Sequence, residues 1–79
     1  MLHRAYEEDL MKLSARNVLK GKVVDVKKGA TTAHVRIQIA GGAVITSSIT
    51  NEAVEELRLA VGDDAYAVIK ASDVMVARD

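Results

Sequence analysis

Ala33-His34-Val35-Arg36-Ile37-Gln38-Ile39-Ala40 is followed at once by Gly41-Gly42 and then by Ala43-Val44-Ile45-Thr46-Ser47-Ser48-Ile49. The first run alternates strictly, with Val35, Ile37 and Ile39 on one face and His34, Arg36 and Gln38 on the other. Successive strand side chains point to opposite faces, so this pattern marks a strand with one buried and one wet side. The paired glycines supply the positive φ that a tight hairpin turn demands. On the return run, Ile45, Ser47 and Ile49 share a face. A β-hairpin over residues 33–49 is therefore the kernel of the fold.

Upstream, Val18 to Lys27 is rich in valine, but its alternation slips around Gly21, which predicts a bulge or sharp bend there. Lys28-Gly29-Ala30 reads as the turn between this strand and the hairpin. Downstream, Thr50 or Asn51 can cap a short helix running through Arg58, with Glu52 well placed in its first turn. Val54, Leu57 and Val61 are expected to plug that helix into the floor of a barrel. Gly62-Asp63-Asp64 breaks it, and Ala65–Lys70 and Asp73–Ala77 read as two further strands. The order predicts a mainly β chain: an OB-like five-stranded Greek-key barrel with one short helix between strands 3 and 4. Leu2, Tyr6, Leu10 and Leu13 recur at helical spacing, so residues 1–12 read as an N-terminal extension, helix or tail, ahead of a domain over 13–79.

Seventy-nine residues make one small domain, which buries only about 60% of its unfolded surface. The chain has no Cys, Phe, Trp or Pro, so its core is built from Val, Ile, Leu and Ala with no covalent staple. Self-association is the expected remedy. Eleven cationic residues balance eleven anionic ones, and only two Tyr are available for stacking. Nucleic-acid binding calls for a positive footprint and aromatic platforms, and neither is present. No apolar run approaches the roughly 20 residues of a membrane span, and Met1-Leu2-His3-Arg4 leads into Glu7-Glu8-Asp9 without an apolar signal region. A cytoplasmic protein is the expectation.

Enzyme templates are missing. His3 lies in the extension and His34 on a polar strand face, and neither belongs to a set of carboxylate or His partners that would form a metal cluster. Glu52, Glu55 and Glu56 form the wet face of one small helix, and Gly41-Gly42 has no phosphate-loop context. What stands out is a cation beside a small hydroxyl residue, twice: Ser14-Ala15-Arg16-Asn17 and Lys70-Ala71-Ser72, each at the edge of a strand-like run. A bare dianion needs one or two positive charges and several short donors, because charge-assisted bonds are strong and an unpaired buried charge is costly.

Ser14-Ala15-Arg16-Asn17, Leu19-Lys20-Gly21, Ile49-Thr50-Asn51 and Val68-Ile69-Lys70-Ala71-Ser72 together resemble the molbindins, small molybdate- and tungstate-binding proteins with a TOBE/Mop-type domain. The resemblance runs from about Leu13 to Asp79. It implies molybdate sites at subunit interfaces of a homo-oligomer, a hexamer built from dimers. Residue by residue, it implies an oxyanion-binding set of Ser14, Ala15, Arg16, Asn17, Thr50, Lys70, Ala71 and Ser72, with hydroxyls and backbone N–H groups as donors and Lys70 as the balancing charge. Molybdate or tungstate is then the ligand, with no cofactor and no metal other than the molybdenum of the anion, and the role is intracellular storage. A regulatory or sensory molybdate module docking a transcription factor or transporter is one alternative, and an OB-like nucleic-acid-binding module another. Two features depart from the family pattern. About twelve residues precede the serine motif, and Thr46-Ser47-Ser48 is richer in hydroxyls than expected.

Overall fold

The computed structural model describes residues 14–79; the expected helix over 2–13 and its apolar face lie outside the described residues. Four strands and one helix follow in order: β1 (Asn17–Lys28), β2 (Thr32–Ile39), β3 (Val44–Thr50), α1 (Asn51–Glu56) and β4 (Asp64–Ile69). The sheet order is β3-β2-β1-β4, and β2 runs antiparallel to both β1 and β3. The chain divides into two compact units, one of Leu19–Ala67 and one of the terminal segments up to Val18 and from Val68.

The predicted hairpin is present in register. Ile37 faces Ile45, Val35 faces Ser47 and Ala33 faces Ile49 across β2 and β3. Ala33, Val35 and Ile37 are buried, and His34, Arg36 and Gln38 are exposed. Gly41 and Gly42 adopt φ of 91° and 96°, and the turn closes through Gly42 N–H to Ile39 O (3.1 Å) and Ile39 N–H to Ala43 O (2.9 Å). Thr46 and Ser48 point to the wet face, while Ser47 is half-buried between the isoleucines. The core is Val23, Ala33, Val35, Ile37, Val54 and Ala67, flanked by Leu19, Val26, Ile39, Ile45, Ile49, Leu59 and Ala65.

The irregularity in β1 is split between two residues, not concentrated at Gly21. The β1/β2 register slips between Val23 and Asp25, so Val24 is the extra residue. The loop after the helix binds β1 beside this slip, through Val23 N–H to Asp63 O (2.9 Å) and Gly62 N–H to Val23 O (2.8 Å). Gly21 solves a different problem. A Cβ there would sit impossibly close to Gln38 O and 2.8 Å from Ile37 Cγ2, so the glycine lets two backbones cross at close range.

Helix α1 is shorter than expected. Thr50 is its N-cap, its Oγ1 accepting from Ala53 N–H at 3.0 Å, and Glu52 occupies the first turn. The helix stops at Glu56, and Arg58 takes φ of 53°. Arg58 N–H then donates to Glu55 O and Leu59 N–H to Val54 O, both at 3.1 Å, which is a Schellman ending with arginine in the usual glycine place. That reversal corrects the expected core plug. Val54 is buried, but Leu57 and Val61 are 65% and 66% exposed, and Leu59 packs on the core in their stead. Asn51 fastens the helix start to the β1–β2 turn, with its N–H on Thr31 O and its Nδ2 on Gly29 O at 3.0 Å. Lys28 adds an ion pair to Glu55 at 3.2 Å.

The fifth strand expected over Asp73–Ala77 is absent from the described chain. Ala71–Asp73 forms a single 3-10 turn, and no regular element follows. Val74, Met75 and Val76 are 49%, 93% and 93% exposed. A strand exists only where a neighbour pairs its N–H and C=O groups, and alternation alone cannot supply one.

Candidate oxyanion site

The terminal segments carry both cation–hydroxyl motifs. Ser14 and Arg16 are exposed, while Ala15 and Asn17 are half-buried where β1 begins. At the other end of the chain, β4 stops at Ile69 and Lys70 leads into the 3-10 turn in an extended conformation, φ −66° and ψ 143°. The turn is held by Asp73 N–H to Lys70 O (2.9 Å) and Val74 N–H to Ala71 O (3.2 Å). The first N–H groups of any helical turn lack partners within it, so Ala71 and Ser72 offer backbone donors beside the Lys70 ammonium.

One bond joins the two motifs. Asn17 Nδ2 donates to Ile69 O at 3.2 Å across 52 residues of sequence. Asn17 is thereby engaged as a tie between the serine motif and the lysine motif. Ser14, Arg16, Lys70 and Ser72 are exposed around it, and neither Arg16 nor Lys70 forms an ion pair with a described residue. Lys22 and Lys28, by contrast, are neutralised by Asp64 (2.8 Å) and Glu55 (3.2 Å). Arg16 and Lys70, without a salt bridge to any described residue, therefore lie in segments rich in hydroxyls and small residues, the donor chemistry a compact dianion asks for.

Thr50 belongs to the other unit. Its hydroxyl oxygen already accepts from Ala53 N–H, and a hydroxyl has one proton to donate besides its acceptor lone pairs. Capping leaves that proton available. The helix start offers less than the sequence suggested, because Asn51 N–H and Ala53 N–H are both spent inside the fold. Asn51 also carries the one side-chain nitrogen or oxygen that is buried without a hydrogen-bond partner among the described residues, its Oδ1. Sequence reasoning placed neither Asn17 nor Asn51 as a fastener, since each bond spans more than 20 residues.

Among the described residues no group of His, Cys, Asp or Glu could hold a metal ion, and no helix is long and apolar enough to cross a membrane. The perturbed titrations sit elsewhere. Lys22 and Asp64 share a hydrogen bond that, with their mutual attraction, raises the lysine and lowers the carboxyl from their ordinary values.

Comparison with known proteins bears on this arrangement. Residues 13–76 match the TOBE domain. A probable molybdenum-pterin-binding protein of Haemophilus influenzae is 56% identical over 66 residues, covering 84% of this chain and 96% of its own length. The solved structure of MopII from Clostridium pasteurianum, in an apo form, superimposes with a TM-score of 0.79 at 52% identity, over 85% of this chain and all of that one. ModG, a cytoplasmic molybdate-binding protein solved with molybdate bound, gives the same TM-score and identity over 81% of this chain and 45% of its own. These names describe binding, not a reaction. Matching the TOBE domain over most of its residues and aligned along nearly the full length of the Haemophilus and Clostridium relatives, the chain belongs to the molbindin (Mop-type) family of TOBE-domain proteins.

Proposed function

We propose that this protein captures molybdate, with tungstate as a near-equivalent ligand, and holds it reversibly as an intracellular, cytoplasmic store. The observation that carries this reading is the Asn17–Ile69 bond, which ties the two cation–hydroxyl motifs together, with Arg16 and Lys70 in no ion pair with a described residue. Ser14, Ser72 and Thr50 supply hydroxyl protons, Arg16, Ala71 and Ser72 backbone N–H groups, and Lys70 the balancing charge. Capture makes no bond to molybdenum. Selectivity comes from cage size: sulfate is the smaller dianion, so donors placed for molybdate are stretched around it.

The sites lie between subunits of a homo-oligomer, a hexamer by the family pattern. Its support here is the exposed Val74-Met75-Val76 run and the two sheet edges, β3 and β4. Paired with the edge of another copy, Asp73–Ala77 becomes the fifth strand of an OB-like barrel, and its apolar side chains leave water.

Titration calorimetry with molybdate, tungstate, sulfate and phosphate tests the proposal, with light scattering on the same samples. Molybdate and tungstate are expected to bind alike and sulfate at least about tenfold more weakly, a gap of about 1.4 kcal/mol. The particle should weigh several times the 8.5 kDa chain. Equal heats for sulfate and molybdate, or a monomer with and without ligand, would reject it.

Thr50 provides a finer test, because its cap and its proposed ligand role respond to different substitutions. Thr50→Ala removes the cap and should cost about 1 kcal/mol of stability. Thr50→Asp keeps a capping oxygen but puts a carboxylate where a dianion would sit. Its melting temperature should stay near that of the natural chain, while molybdate affinity falls at least about tenfold by like-charge repulsion. Thr50→Asp binding molybdate normally would mean that Thr50 is a cap and nothing more.

A further inference from the structure

Two apolar runs leave the fold at one place. Asn17 Nδ2 on Ile69 O holds the start of β1 beside the end of β4, and both residues belong to one compact unit. Lys22 meets Asp64 and Asn17 meets Ile69, so the two strands run antiparallel. Traced outward from the Asn17–Ile69 bond, the chain before Asn17 and the chain after Ile69 therefore head the same way. On one side follow Lys70, the 3-10 turn and then Val74, Met75 and Val76, all exposed. On the other, reading backwards from Ser14, come Leu13, Leu10, Tyr6 and Leu2, the stripe of helical spacing that precedes the TOBE domain.

Val74 is extended, with φ −92° and ψ 121°. Continued in that conformation, Val74 and Val76 point to one face and Met75 to the other. Pairing with the edge of another copy joins the backbone of this run and turns one face inward, but it leaves the opposite face in water. That face needs a second layer. Twelve residues of helix are about 18 Å long, and the five residues Asp73–Ala77 span about 17 Å when extended, so a helix over 2–13 matches the run end to end. A helix this short is marginal in water by itself and requires an apolar surface to dock on. Its stripe carries Leu2, Tyr6, Leu10 and Leu13, while Arg4 and Glu8 fall on the opposite side. Met75 is well suited to receive it, since an unbranched thioether fills irregular gaps and packs favourably on an aromatic ring such as Tyr6.

We propose that residues 2–13 form a helix whose apolar stripe docks on Met75 of its own chain, covering the face of the 74–76 run that strand pairing leaves open. Only Ser14, Ala15 and Arg16 separate this segment from the Asn17 tie, so its effective concentration at Met75 exceeds that of the same segment from another molecule. The outward turn of Met75 rests on the assembly proposed above, whereas the docking itself is a contact within one chain and needs no molybdate.

The chain has no cysteine, so introduced thiols report one contact at a time. The full-length variants Leu10→Cys/Met75→Cys, Glu8→Cys/Met75→Cys and Leu10→Cys/Val61→Cys are treated with a short bis-maleimide, and the products are weighed by mass spectrometry after denaturation. Leu10→Cys/Met75→Cys is expected to link within a single 8.5 kDa chain. Its yield should exceed that of each other pair at least about fivefold, because Glu8 lies on the far side of the helix and Val61 on another exposed apolar site. In a second measurement, the full-length Tyr6→Ser/Leu10→Ser variant is exposed to hydrogen peroxide, and Met75 sulfoxide should form at least about threefold faster than in the natural chain. Circular dichroism checks that each variant keeps its sheet. A link mainly between two chains, equal yields from Leu10 and Glu8, preferential linkage to Val61, no link at all, or an unchanged oxidation rate would each overturn the proposal. Neither readout involves molybdate, and light scattering on the same samples gives the particle size, so loss of this contact and loss of the assembly are told apart.

Discussion

Gly21→Ala is expected to lower the melting temperature by about 10 °C or more, because an added Cβ meets a tighter clash here than at any other glycine of the chain. The new Cβ meets two obstacles at once, the backbone oxygen of Gln38 and the Cγ2 of Ile37 at 2.8 Å. Neither can withdraw: Gln38 is held between two strands, opposite Lys22 on β1 and Val44 on β3, and Ile37 is part of the core. Overpacking of this kind costs about 1–3 kcal/mol and occasionally more. In a domain of this length each kcal/mol moves the midpoint by about 4–8 °C. Gly29→Ala is the comparison, since its Cβ would meet only Thr32 O at 3.0 Å in an exposed turn. Thermal melts of the two variants decide the matter, and equal midpoints would show that the strand crossing has room to relax.

For ligand capture, the largest effect belongs to Lys70. Lys70→Ala should weaken molybdate at least about 30-fold, corresponding to about 2 kcal/mol or more, while Arg36→Ala should leave it within about twofold. Removing one partner of a desolvated charge pair at an interface costs on the order of 2–5 kcal/mol, whereas an exposed cation is worth little. Arg36 lies on the wet face of β2 opposite Asp25 and Thr46, remote in sequence from either motif. Lys70→Arg should recover only part of the loss, because a planar fork replaces a compact point charge. Calorimetric titration of the three variants makes the comparison, and matching affinities for Lys70→Ala and Arg36→Ala would remove Lys70 from the ligand set.

The hairpin could be read from residues alone because both of its determinants are local: strict alternation, and two glycines that accept positive φ. The helix start was legible for the same reason, since Thr50 caps within three residues of itself. The helix end was not. Arg58 is a good helix former by propensity, and only tertiary contacts turn it into the left-handed stop that sends Leu57 and Val61 outward. Val24 likewise reads as an ordinary strand valine, because its extra place in the ladder is set by its partner strand. At the candidate site, the clustering of cations and hydroxyls was visible as composition. The fastening role of Asn17 was not, since its partner carbonyl is 52 residues away and carbonyls leave no mark in a sequence. Asp73–Ala77 alternates like a strand, but it lacks the second strand that would make it one.

The two largest fully buried side chains, Val23 and Val35, sit on β1 and β2, the inner pair of the sheet, while β3 and β4 border it. Proteins do not breathe uniformly, and edges and chain ends open at a small fraction of the global unfolding energy. Both cation–hydroxyl motifs fall at such ends, at the first residue of β1 and just beyond the last of β4. On the storage role proposed above, donors carried at such ends would close on an oxyanion and reopen by the same local motion. A store must surrender its contents on demand, and chain ends are where the least energy is needed for that.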